Sequence, residues 1–103
     1  MQFLKKQFLN MKIKFQEEFL FKLNKQVDYI SKDKPSAARK FKIELLKNLK
    51  KDLKEPFHFK KSKHYNDNYI RDYVFKGYSI VYYIDIDEDS ISIFGFIKHK
   101  KSL

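Results

Sequence analysis

The sequence predicts an α+β fold in which a two-helix antiparallel hairpin packs on one face of an antiparallel sheet. Three observations carry that expectation. Apolar residues alternate singly at Met11, Ile13 and Phe15, recur at three- and four-residue spacing from Phe19 to Leu53, and alternate again between Tyr69 and Ile97. The blocks therefore read strand, helix, helix and a three-stranded meander. Helices grouped early and strands grouped late separate this class from the alternating α/β one.

Each element has its own local cause. In MKIKF (Met11 to Phe15) two lysines interrupt three apolar residues, the period-2 pattern of a half-buried strand. From Glu17 the period changes, and Phe19 or Leu20, Leu23, Val27 and Ile30 form the stripe of an amphipathic helix running to about Lys32. Glu17 and Glu18 complement the dipole in its first turn. Pro35 suits the first position of a second helix, whose stripe is Ala38, Phe41, Leu45, Leu49 and Leu53, and Pro56 stops it. The connector SKDKP is short enough to set the helices side by side and antiparallel.

After Pro56 comes FHFKKSKHYNDN, a basic connection without periodicity. Tyr69 to Phe75 then reads as a strand, Lys76 and Gly77 as a tight turn in which glycine supplies a positive φ, and Tyr78 to Ile86 as the returning strand. There Ile80, Tyr82 and Ile84 face one way and Val81 and Tyr83 the other, so both faces are apolar and the strand is central. Asp87 to Ser90 makes a second turn, and Ile91 to Ile97 is the last strand, with Ser90 and Ser92 marking its wetter face. Residues 11–103 thus form one domain. Residues 1–10, where Phe3, Leu4 and Phe8 could extend a helix, are set apart as an N-terminal extension.

Composition narrows the chemistry. The chain has no cysteine, which excludes disulfides, thiolate metal sites and thiol nucleophiles. No apolar run approaches the roughly 20 residues of a membrane span, so a cytoplasmic protein with no membrane partner is expected. The net charge of +10 favours polyanionic partners, although a lysine-rich compositional habit gives the same number. Eleven Phe and seven Tyr supply the core.

Four stretches, MKIKFQEEF, YISKDKPSAARKF, YIRDYVFKGYSIVYYID and IKHKK, in this order and spacing, resemble the toxins of bacterial type II toxin–antitoxin modules known as the RelE/ParE superfamily. The resemblance implies a growth-inhibiting toxin neutralised by a cognate antitoxin, with no cofactor. It also implies one of two targets: DNA gyrase, acted on without catalysis by ParE-like members, or the ribosome with its mRNA, cut by RelE-like members in a metal-independent endonuclease reaction. The seven-residue step from Arg71 to Tyr78 and the PSAARKF helix start incline toward the ParE-like branch. So does Ser79, which stands where many RelE-type ribonucleases carry an arginine.

If the chain does cleave RNA, it needs a base for the 2′-hydroxyl, cations around the phosphate and an acid for the leaving oxygen. Arg71, as a bidentate phosphate holder, and His99, as acid or phosphate ligand, are the catalytic candidates. Lys60, Lys61, Lys63 and His64 in the connection, with Lys98 and Lys100 near the end, are the nucleic-acid-binding candidates. Against these stand plainer readings: a solvated arginine, a structurally bonded histidine and a solvated lysine loop. Tyr65, Tyr69, Tyr73, Tyr78 and Tyr83 could stack on bases, or pack across strands. His58, His64, Asp67 and His99 fall on no tight ligand spacing, so no metal site is expected. Charge and aromatics without the resemblance would suggest only a non-toxic nucleic-acid-binding domain.

Overall fold

The alternation of Lys12 and Lys14 with Ile13 and Phe15 produces strand β1, Lys12–Phe15, whose lysines are exposed and whose apolar residues are half-buried. The computed structural model describes residues 11–100; the extension at 1–10, with Phe3, Leu4 and Phe8, and Lys101 of the basic end lie outside the described residues. Gln16 holds an extended backbone and lets the chain turn directly into helix α1, Glu17–Ser31, which buries Phe19 and Leu23. Helix α2, Pro35–Asp52, begins on its proline and buries Ala38, Phe41, Leu45 and Leu49, with Leu53 buried just beyond it. Between them, the backbone N–H groups of Asp33 and Lys34 both donate to the Ile30 carbonyl and close the short connector.

The meander follows the expected order: β2 is Ile70–Phe75, β3 is Tyr78–Asp85 and β4 is Ser90–Lys98. At the first turn Lys76 (φ 46°) and Gly77 (φ 84°) both occupy the left-handed region, as a two-residue hairpin with the strands' own twist demands. Gly77 is surrounded by open space, so its role is conformational and not steric.

The sheet itself differs from the expectation in one respect: it is mixed. Its order is β1-β4-β3-β2, and β1 lies parallel to β4, with Ile13 opposite Ile91 and Phe15 opposite Ile93. Period-2 patterning reports which face a residue occupies but is blind to strand direction. The same pairing corrects the reading of Ser90. That residue is 2% exposed, because Lys12 pairs with it on one side and Asp85 on the other.

One face of the sheet carries the core. Phe19 packs between Phe15 and Phe96, and Phe41 meets Phe75 and Tyr78, while Tyr78 stacks on Phe96 at 4.8 Å. Two tyrosines tie the sheet to the end of α2 and to the segment after it. The Tyr82 hydroxyl donates to the Pro56 carbonyl (2.6 Å), and the Tyr73 hydroxyl donates to the Asp52 carboxylate. Burial raises both phenols above their ordinary range, and the Asp52 carboxylate raises Tyr73 further. A folded-state pKa above the unfolded one means stability fully present below about pH 10 and lost as the pH climbs beyond it. The urea midpoint is therefore expected to fall on the alkaline side, and to fall less steeply in Tyr82→Phe than in the wild type. Parallel curves for the two proteins would remove Tyr82 from the cause.

Between Val81 and Tyr82 the β3–β4 register shifts: Val81 pairs with Gly95 but Tyr82 pairs with Ile93, leaving Phe94 as a bulge. A Cβ at Gly95 would lie 2.7 Å from the Val81 Cβ, an atom fixed to its own backbone. Gly95→Ala is accordingly expected to cost about 1–3 kcal/mol of stability through this overlap. Denaturant unfolding measures it, and an unchanged midpoint would show that the strands part freely.

Candidate functional site

The basic connection does not leave the sheet. The Ser62 N–H donates to the Ile70 carbonyl (2.8 Å) and the Asp72 N–H to the Lys60 carbonyl (3.0 Å), with Lys61 opposite Arg71, so the lysine segment runs back along the outer edge of β2. Arg71 anchors it from beneath. Its Nε donates to the Asn68 carbonyl (2.8 Å), and its Nη1 donates to the carbonyls of Phe59 (2.9 Å) and Phe57 (3.4 Å). The guanidinium carbon also sits 5.1 Å from the centre of the Phe57 ring.

Strand alternation then decides which groups meet. Arg71 pairs with Tyr82, Tyr73 with Ile80 and Phe75 with Tyr78, all on the helix-covered face. Asp72, Val74, Ser79 and Val81 belong to the opposite, open face, where Val74 is 63% exposed. His99 follows β4, held by its backbone N–H on the Gly77 carbonyl, and its Nε2 lies 2.8 Å from the Ser79 hydroxyl. Ser79 is only 2% exposed, whereas His99 is exposed. Depending on the tautomer, Ser79 donates to Nε2 or accepts its proton.

A cleft of about 580 Å³ opens on this face. It gathers Lys60, Lys61 and Lys63 with His99, four of the residues singled out in the sequence. Its remaining walls come from His58, Phe59, Asp72, Val74 and Ser79. The other candidates lie elsewhere. Arg71 is on the far face, and His64 is exposed beside the rim with its N–H on the Ser62 hydroxyl (3.2 Å). Lys98 places its ammonium 5.9 Å from the centre of the Tyr29 ring of α1, in a separate hollow with Lys22 and Lys25, and Lys100 is exposed past the strand. Tyr73 and Tyr78 are buried, which leaves Tyr65, Tyr69 and Tyr83 as the partly exposed tyrosines among those considered for stacking.

Ser79 and Asp72, both in the cleft wall, had no assigned role in the sequence. Ser79 registered only as a missing arginine, yet it is the hydrogen-bond partner of His99. Asp72 was hidden behind Arg71, although period-2 alternation alone places it with Val74 on the face opposite Tyr73 and Phe75. Its Oδ2 accepts a long bond from the Lys63 N–H (3.3 Å), and its Oδ1 is buried with no donor among the described residues. Among the described residues no cluster of three His, Asp or Glu side chains is placed to hold a metal ion. The arrangement offers ammonium groups for an anion, an imidazole able to donate or accept a hydrogen bond, and one carboxylate oxygen that no donor among the described residues reaches.

Neither the curated proteins nor the solved structures contain a match to this chain. The family model described as the ParE toxin of the type II toxin–antitoxin system, parDE, matches residues 13–103. That match opens inside β1 and runs through both helices, the lysine edge and the whole meander, in the element order that the fold displays. On the strength of that span, the chain belongs to the ParE toxin family of type II toxin–antitoxin systems.

Proposed function

We propose that this toxin acts in the cytoplasm on DNA gyrase and arrests growth without cutting RNA itself. Membership of a type II toxin family implies a cognate antitoxin as its partner. No helix among the described residues is long and apolar enough to cross a membrane. The observation that carries the gyrase reading is the separation of the two groups that RNA cleavage would recruit. The Arg71 guanidinium is occupied by backbone carbonyls on the helix-covered face, while His99 stands on the open one. Cleavage of a phosphodiester needs its cation and its acid around one phosphate, and these two do not share one.

A second reading, a ribosome-dependent mRNA endonuclease, draws support from the cleft that unites His99 with Lys60, Lys61 and Lys63. Induction of the toxin alone, without its antitoxin, separates the two. The gyrase reading expects arrested growth with a DNA-damage response and unchanged mRNA 5′ ends, in the wild type and in His99→Ala alike. New 5′ ends on translated messages that disappear in His99→Ala would transfer the target to the ribosome. Undisturbed growth would return the domain to plain nucleic-acid binding.

A further inference from the structure

The chemistry of the cleft is two-ended, and nothing in the gyrase reading uses it. At the rim stand Lys60, Lys61 and Lys63; on the floor stands Asp72, with Oδ1 unpartnered. Among the described residues no lysine lies within ion-pairing distance of that carboxylate, so the positive and negative ends are spatially distinct. A buried carboxylate oxygen without a donor is costly, and a ligand that brings an N–H relieves the cost. The terminal torsion of an aspartate is soft, so rotation can turn either oxygen toward the cleft. Only the weak 3.3 Å bond from the Lys63 N–H opposes it. The exposed Val74 supplies an apolar wall of the same cleft.

The geometry points to a nucleotide of a single strand as the occupant, with its phosphate on the lysine rim and the amino edge of its base on Asp72. A volume of about 580 Å³ lies in the range of small-ligand sites. An acidic peptide satisfies the rim but brings a second acceptor to Asp72, and repulsion between the two carboxylates disfavours it. The carboxylate also makes the site selective. Cytosine presents its N4 amino group as a donor, the pairing through which Asp and Glu read that base. Thymine and uracil present a carbonyl oxygen at the same position, another acceptor facing the carboxylate. Asp72 is therefore a specificity-determining residue, and Lys60 and Lys63 are sequence-blind phosphate contacts.

Fluorescence anisotropy of the purified full chain with labelled oligo(dC), oligo(dT), oligo(rC) and oligo(rU) tests this. The expected preference for C over T or U is about tenfold, the scale of one good base-edge contact, and the deoxy and ribo pairs report which sugar the site accepts. Asp72→Asn, whose amide both donates and accepts, is expected to abolish the preference while retaining binding. Lys60→Gln with Lys63→Gln is expected to weaken all four oligonucleotides equally and to flatten the salt dependence. In case Asp72→Asn does not fold, the amide NMR signals of Lys63, Ser79 and His99 in the wild type are to be followed with cytidine and uridine monophosphate. Shifts with the first at tenfold lower concentration support the site. Equal binding of C and T, a preference that survives in Asp72→Asn, or binding of a polyglutamate peptide but of no oligonucleotide would each overturn it.

Discussion

Truncating Phe19 to alanine is expected to lower the free energy of unfolding by about 3–5 kcal/mol, the range for removal of a fully buried aromatic ring. Phe19 is 0% exposed and sits where α1, β1 and β4 converge, stacked on Phe15 at 5.9 Å and set edge-on to Phe96 at 6.1 Å. No neighbour can move into the space without abandoning its own contacts, so the cavity persists. A domain of this size holds only about 5–15 kcal/mol in total, and the variant is expected to populate unfolded chain measurably at growth temperature. Urea unfolding gives the number, and amide exchange in β1 gives the location, since that strand loses the ring on which Phe15 rests. A loss below about 1 kcal/mol, the level of a surface change, would mean that α1 is only loosely docked.

The second large effect is expected at Arg71. Replacement by alanine leaves the carbonyls of Phe57, Phe59 and Asn68 without their charged donor, and a cost of about 2–4 kcal/mol follows from bonds of that kind. Arg71→Lys does not restore them, because one ammonium lacks the planar fork that reaches several carbonyls at once. His99→Ala, by contrast, is expected to cost only about 1 kcal/mol, because its exposed imidazole makes a single neutral hydrogen bond, to the buried Ser79 hydroxyl. Thermal melts of the three variants make the comparison. An Arg71→Ala protein of undiminished stability and no toxicity would restore Arg71 as a group that touches the target directly.

Most of the fold was legible because each element carries its own period. The stripe Ala38, Phe41, Leu45, Leu49, Leu53 is buried throughout, and the doubly apolar Tyr78 to Ile84 run lies inside the sheet. What escaped was relational. The direction of β1 beside β4 is set by the crossover through the helices, and no residue of β1 encodes it. The site was legible in composition and opaque in geometry. The lysines of the connection and His99 do meet, but Arg71 is turned to the other face by a single step of alternation, and the same step brings Asp72 into the cleft. A residue list has no faces; a register does.

The bulge at Phe94 shows how much can hang on one such step. Ahead of it, odd-numbered residues of β4, Ile91 and Ile93, enter the core; behind it an even-numbered one, Phe96, does. The strand thus carries two opposite parities joined by one supernumerary residue. Were the parity uniform, position 99 would turn toward α1 and the ammonium of position 98 would stand over the open face. A pairing that irons out the bulge while keeping Phe94 would therefore exchange the imidazole for a lysine beside Ser79, whereas loss of Phe94 itself would join Ile93 to Gly95 in regular alternation and leave the imidazole in place. The two pairings of the full strand share one composition at the site and differ in its chemistry.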